Sequence, residues 1–134
     1  MDEKWSFYII HLDNYTYAGV SPDPIKRLRK HNGEISGGAK YTTAKGKGWE
    51  HICIIEGFPT KINSMQFEWA VKHCLNRNEG GIQARIKKLF YILNNDKWTS
   101  NSPPANTINL KLIWKKSQFR PINLTLPEYI EEIY

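Results

Sequence analysis

Tyr8, Tyr17, Arg27, His31 and Glu68 are the residues of this chain whose types and order could do chemistry. They stand in a frame reading Phe7-Tyr8-Ile9-Ile10, then Tyr17-Ala18-Gly19, then Arg27-x-x-x-His31, then Phe67-Glu68-Trp69. Two phenols, a fixed cation, an imidazole and one carboxylate are the groups that metal-assisted cleavage of a phosphodiester uses. The arginine fork binds two phosphate oxygens and stays charged. Histidine can pass a proton near neutral pH. A lone carboxylate suits magnesium, which keeps most of its waters and also contacts substrate phosphate. Each residue also has a bland explanation. Tyrosines pack well in half-buried strands, a Lys-Arg-x-Arg-Lys-His run is commonly a solvated helix, and Glu68 can pair with Lys72 four residues on.

Elements must bring these residues together. Trp5 to Leu12 and Tyr15 to Ser21 read as strands around the hairpin signal Asp13-Asn14. A two-residue turn there pairs Leu12 with Tyr15, Ile10 with Tyr17 and Tyr8 with Gly19, so both tyrosines share one sheet face. Gly19 then leaves a space opposite Tyr8 that a ligand or backbone could enter. Ser21-Pro22-Asp23-Pro24 starts a helix from Ile25 to about Asn32, which Gly33 ends. On that helix Ile25, Leu28 and Asn32 point to the sheet, Arg27 and His31 stack on one flank, and Arg29 lies on the other. Residues 33–48 form a Gly/Lys/Thr-rich loop without P-loop spacing. Its Lys40, Tyr41, Lys45 and Lys47, with Arg29 and Lys30, are candidate contacts to a DNA backbone and an unpaired base.

Residues 49–58 form a third, central strand. Pro59-Thr60 opens a helix to about Asn76, apolar on nearly all sides around Glu68 and so expected to be buried. A further helix, Ile82 to Asn94, carries the stripe Ile82, Ile86, Leu89, Phe90 and Leu93, with Arg85, Lys87 and Lys88 facing out. Ile108 to Trp114 alternates like a strand, and a short acidic helix is expected after Pro127. The fold class is α/β (α+β), with a small, mainly antiparallel central sheet flanked by helices.

At 134 residues the chain suits one domain. Its net charge of +6 is the balance of +9 over the first 120 residues and −3 (Glu128, Glu131, Glu132) over the rest. That basic body favours a polyanionic partner, nucleic acid first. No apolar run approaches the roughly 18 residues of a membrane span, and Met1-Asp2-Glu3-Lys4 lacks a signal-peptide pattern. Cys53 and Cys74 read as buried free thiols, without the partners for a structural zinc site. The expected location is intracellular, in nucleus or cytoplasm.

In this order the motifs resemble the GIY-YIG endonuclease superfamily, and within it the Slx-type structure-selective nucleases. Phe7-Tyr8-Ile9-Ile10 and Tyr17-Ala18-Gly19 stand for the two family motifs, with Phe, Ile and Ala18 as departures beside the tyrosines. The segment Asp23 to Gly33 is similar to the Slx-type helix. Gly37-Gly38-Ala39, Trp49-Glu50, Gly57-Phe58-Pro59, Gln66-Phe67-Glu68-Trp69-Ala70 and the strand from Ile108 to Trp114 follow the same pattern. The resemblance covers about residues 5 to 116.

It implies hydrolysis of a DNA phosphodiester at flaps or branched junctions with one divalent ion, Mg2+ or Mn2+, leaving 5′-phosphate and 3′-hydroxyl ends. The metal ligand would fall on Glu68 and the phosphate-holding arginine on Arg27. Tyr8, Tyr17 and His31 would position and deprotonate water, with Tyr8 a candidate general base. A late asparagine, Asn76, Asn78 or Asn94, could join them. Residues 1–95 would be the nuclease core, and 96–134 an extension packed on the same domain. Slx-type enzymes carry a C-terminal zinc-binding domain that docks a scaffold subunit, and this chain has neither the length nor the cysteines for it. A scaffold protein and a homodimer both stay open as partners. The rival reading is a catalytically inert DNA-binding module of the same fold. An RNA binder stacking bases on Tyr8 and Tyr17 would leave Arg27 and Glu68 unexplained.

Overall fold

Asp13, at φ 52°, turns the chain between β1 (Trp5–Leu12) and β2 (Tyr15–Ser21) in the computed structural model, which describes residues 4–134. Residues 1–3, most of the segment read for a signal peptide, lie outside the described residues. The hairpin register is the expected one, with Tyr8 opposite Gly19 and Ile10 opposite Tyr17. The space at Gly19 belongs to Tyr8 itself, and this corrects its reading as room for a ligand. A Cβ there would lie 2.5 Å from the Tyr8 hydroxyl and 2.7 Å from its ring carbon.

On its other side β1 pairs antiparallel with β3 (Glu50–Phe58), and β3 with β4 (Lys111–Trp114). The acidic segment after Pro127 is a strand, not a helix. Glu131–Ile133 forms β5, which adds parallel to β4 and completes the order β2-β1-β3-β4-β5. An isolated short helix is marginal in water, whereas the bare edge of β4 offers ready backbone partners. Glu132 is fixed there by Arg120 Nε at 2.8 Å and Trp114 Nε1 at 2.6 Å.

Alternate residues of β1 point to opposite faces. Phe7 and Ile9 enter the main core with Phe58, Phe67, Val71 and Leu89, under α3 (Lys61–His73) and α4 (Ile82–Leu93). Tyr8 and Ile10 face a smaller cluster with Trp49 and Ile54, against which Tyr17 and Leu28 pack. Residues beyond 95 share the main core through Trp98, Leu110, Leu112, Trp114 and Ile130. Among the described residues no helix is long and apolar enough to cross a membrane.

The helices depart from expectation in informative ways. In α1 (Pro24–His31), capped by the Asp23 carboxylate, Ile25 is 58% exposed and His31 is buried. The helix is turned so that Leu28 and His31 face the sheet and Ile25 does not. The glycine-lysine loop contains a short helix, α2 (Lys40–Lys45), that buries Thr42. α3 ends at His73 and is not buried on all sides, since Met65 and Trp69 are exposed. On α4, Lys88 is buried with Nζ reaching the Glu79 carbonyl, and Arg85 is half-buried, so neither faces out as the stripe suggested. Cys53 is fully buried and Cys74 half-buried, and both are free thiols.

Candidate active site

The β1–β2 hairpin presents Tyr8 and Tyr17 on one face, and α1 lays His31 and Arg27 over them. His31 Nε2 lies 2.7 Å from the Tyr8 hydroxyl. The Tyr17 ring centre is 5.0 Å from that of His31. On the far side of the imidazole, Nδ1 lies 2.7 Å from Thr42 Oγ1. The Thr42 hydroxyl donates to the Ala39 carbonyl at 3.0 Å. A hydroxyl has one hydrogen, so Thr42 Oγ1 must accept from His31 Nδ1–H. The hydrogen-bond pattern therefore assigns the neutral ring a bare Nε2, which accepts from Tyr8 Oη–H.

Thr42 was invisible as a site residue in the sequence, because only the short helix α2 brings it to His31. Asn32, at the end of α1, ties that end to the segment entering β3. Its Nδ2 donates to the Trp49 carbonyl, and its Oδ1 accepts from the backbone N–H of Gly48 and Trp49. In Thr42→Val the Nδ1–H loses its acceptor without loss of volume. We expect the His31 nitrogen resonances to shift toward a mixture of tautomers, while Thr42→Ser keeps the wild-type pattern.

Burial lowers the His31 pKa to about 4, with the charges of Arg27 and His51 adding to the effect, so the ring is neutral at physiological pH. Burial raises Tyr8 and Tyr17, and the negative charge of Glu68 pushes both further up. The Arg27 charge opposes that by favouring both phenolates. Arg27 Nη1 also donates to the Gly37 carbonyl, tethering the loop before α2.

Glu68 sits at the edge of the buried face of α3, 22% exposed. Lys72 Nζ approaches its Oε2 at 3.4 Å and also lies 5.2 Å from the Tyr17 ring centre. The pairing with Lys72 is thus formed, though long, and Oε1 has no hydrogen bond among the described residues. Among those residues no cluster of three His, Cys, Asp or Glu could hold a metal alone. One carboxylate with an open oxygen fits a hard ion that keeps its waters, and does not fit a caged zinc or calcium.

Of the other candidate residues, Tyr41 borders this recess, stacked on Tyr17 with ring centres 6.2 Å apart. Lys40, Lys45 and Lys47 are exposed, Lys30 is half-buried, and Arg29 makes a loose pair with Glu34 at 3.9 Å. Two of the three candidate asparagines, Asn94 and Asn76, have partners of their own. Asn94 donates to the carbonyls of Phe90 and Thr125, and Asn76 accepts from the backbone of Asn78.

A small mixed sheet that presents two phenols on one face, with a helix laying an imidazole over them and carrying a guanidinium beside it, defines the class as an α/β domain. The model of the GIY-YIG catalytic domain matches residues 4–80, and the chain belongs to that family. It is 34% identical to "Structure-specific endonuclease subunit SLX1" of Candida glabrata over 128 residues, 88% of this chain and 37% of that protein. It is 28% identical to the protein of the same name in Scheffersomyces stipitis over 137 residues, 96% of this chain and 39% of that one. Over 57 residues, 42% of this chain, it is 54% identical to "Structure-specific endonuclease subunit slx1" of Schizosaccharomyces japonicus, of which it covers 20%. The chain thus spans between 20% and 39% of the length of these relatives.

Proposed function

We propose that the chain is the catalytic domain of a structure-selective DNA endonuclease that hydrolyses phosphodiesters at flaps or branched junctions. The hydrogen-bonded series Tyr8–His31–Thr42, set beside Arg27, carries this reading. The names of the relatives support it. The word "subunit" in those names favours a scaffold protein over a homodimer as partner.

Arg27 holds the scissile phosphate through paired N–H groups and meets the charge that develops on it. The attacking water is placed against Tyr8 Oη. As its oxygen bonds to phosphorus and the P–O3′ bond breaks, its proton passes to Tyr8 Oη, the Tyr8 proton passes to His31 Nε2, and the leaving 3′-oxygen takes a proton from solvent, to which His31 later returns its own. His31 becomes imidazolium, and Thr42 Oγ1 keeps Nδ1–H in place throughout. A phosphate on Arg27 offsets the charge that depresses His31, so substrate raises the basicity of the group that must take the proton. Tyr17 orients the water from the other side. Glu68 would hold a divalent ion, Mg2+ or Mn2+, which would supply Lewis-acid stabilisation of developing negative charge. The products are a 5′-phosphate and a 3′-hydroxyl.

The test is incubation with 5′-flap, Holliday-junction and linear duplex DNA, in magnesium or EDTA. We expect cleavage of flap or junction, a spared duplex and no cleavage in EDTA. Cleavage of none of the substrates would overturn the reading. Glu68→Gln should abolish cleavage while leaving flap binding within about threefold of wild type, because it removes one charge and no volume. The inert-module reading requires that neither Glu68→Gln nor Arg27→Ala changes any activity.

A further inference from the structure

Arg85 stands on the first turn of α4, half-buried, and burial disfavours its charge. Its Nε donates to Thr16 Oγ1 at 3.2 Å. Its other N–H groups have no hydrogen-bond partner and no paired carboxylate among the described residues. A guanidinium taken partly out of water and left without an anion is costly unless something binds it. Arg85 borders a cleft of about 580 Å³ that Tyr15, Thr16, Tyr41, Gly80 and Gly81 also line. Asp13 lines it too, beyond ion-pair reach of Arg85.

Two walls of the cleft are aromatic, and a second cation, Lys45, lies over those rings. Tyr15 and Tyr41 are 49% and 42% exposed. Lys45 Nζ rests 4.1 Å from the Tyr15 ring centre and 5.5 Å from that of Tyr41, and it too has no carboxylate partner among the described residues. A cation held only by ring faces can turn readily to a phosphate. The cleft begins one ring away from the catalytic recess, because Tyr41 stacks on Tyr17.

We propose that this cleft holds one unpaired nucleotide of the substrate, its phosphate on Arg85 and Lys45 and its base against Tyr15 and Tyr41. The inference rests on the endonuclease reading and gives that site its selectivity. A duplex presents only its backbone to such a cleft, since its bases are stacked within. A strand freed at a flap offers both a phosphate and a π-face. A duplex end would gain from the basic surface but not from the aromatic walls.

The test measures fluorescence anisotropy in EDTA with a labelled 5′-flap DNA and with the same duplex lacking its single-stranded arm. Arg85→Gln and Tyr15→Ala are compared with wild type. We expect each variant to weaken flap binding about tenfold, the effect of one lost stacking or phosphate contact, and to leave duplex binding within about twofold. Equal weakening of both DNAs, or of neither, overturns the proposal. Tyr15 is exposed on the hairpin, so Tyr15→Ala decides the matter if Arg85→Gln fails to fold. Wild-type flap cleavage in magnesium is measured alongside. An inactive wild type sinks the endonuclease reading, whereas an active one with unchanged flap preference in both variants sinks only the cleft.

Discussion

Arg27→Ala should lower the rate of flap cleavage by about a thousandfold, the upper part of the range for removing one preorganised charge from a phosphoryl or acyl site. The side chain is half-buried beside Tyr8 and Tyr17, and its Nη1 is held by the Gly37 carbonyl, so the fork is preorganised before DNA arrives. Arg27→Lys should recover little of the loss, because an ammonium is a point charge without a planar fork. Two side effects separate this result from misfolding. Without the neighbouring cation His31 should titrate above its wild-type value of about 4. The Tyr8–His31 hydrogen bond should survive. A single-turnover assay paired with a histidine titration checks both, and a near-wild-type rate in Arg27→Ala would remove the phosphate-holding role.

The second large effect is expected at Tyr8. Tyr8→Phe keeps the ring that fills the space at Gly19 but deletes the oxygen that lies 2.7 Å from His31 Nε2. If the water proton travels through that oxygen, the rate should fall by between about a hundred- and ten-thousandfold, the usual span for general acid–base catalysis. The variant also leaves a buried acceptor unpaired, at a cost of about 1–3 kcal/mol of stability.

The pH dependence tests the same pathway. Wild-type kcat/KM should stay level as pH falls through 6.5, the ordinary histidine value, and drop only near pH 4, where Nε2 becomes protonated and can no longer take the Tyr8 proton. Stability follows the same sign. The unfolded chain binds protons to His31 and His51 at a higher pH than the folded one does, so stability falls as pH falls below about 6.5. An acid limb at pH 6.5 in kcat/KM would exclude His31 as the proton acceptor.

The parts of the site set by local rules were legible in the sequence. A two-residue turn fixes a register, and that register alone puts Tyr8 and Tyr17 on one face. The four-residue spacing of Arg27 and His31 likewise fixes a shared side of a helix. What the sequence did not show depends on packing between elements. Helix periodicity turned Ile25 to the sheet, but His31 holds the helix by two polar contacts and Ile25 is left in water. Thr42 looked like one more loop threonine until a six-residue helix buried it. Arg85 looked solvated because its partner Thr16 lies 69 positions away in the chain. The acidic residues after Pro127 carried a charge pattern and no pairing information, so their place beside β4 was unreadable.

The strand order has a consequence for how the protein is made. Every member of the candidate catalytic set lies within the first 68 residues, and the hairpin, α1 and β3 that hold most of it are joined by nearby contacts that form early. The outer edge of β3, which carries Cys53, Ile54 and Ile55, waits for residues 111–114 to pair with it. During synthesis from the N-terminus, a nascent chain therefore has its chemistry nearly assembled while an apolar strand is still uncovered. That interval is when association with another unfinished copy is most favourable. A fragment ending with the 4–80 family match would lack α4 as well and keep that strand edge uncovered, so we expect it to aggregate where the full chain does not.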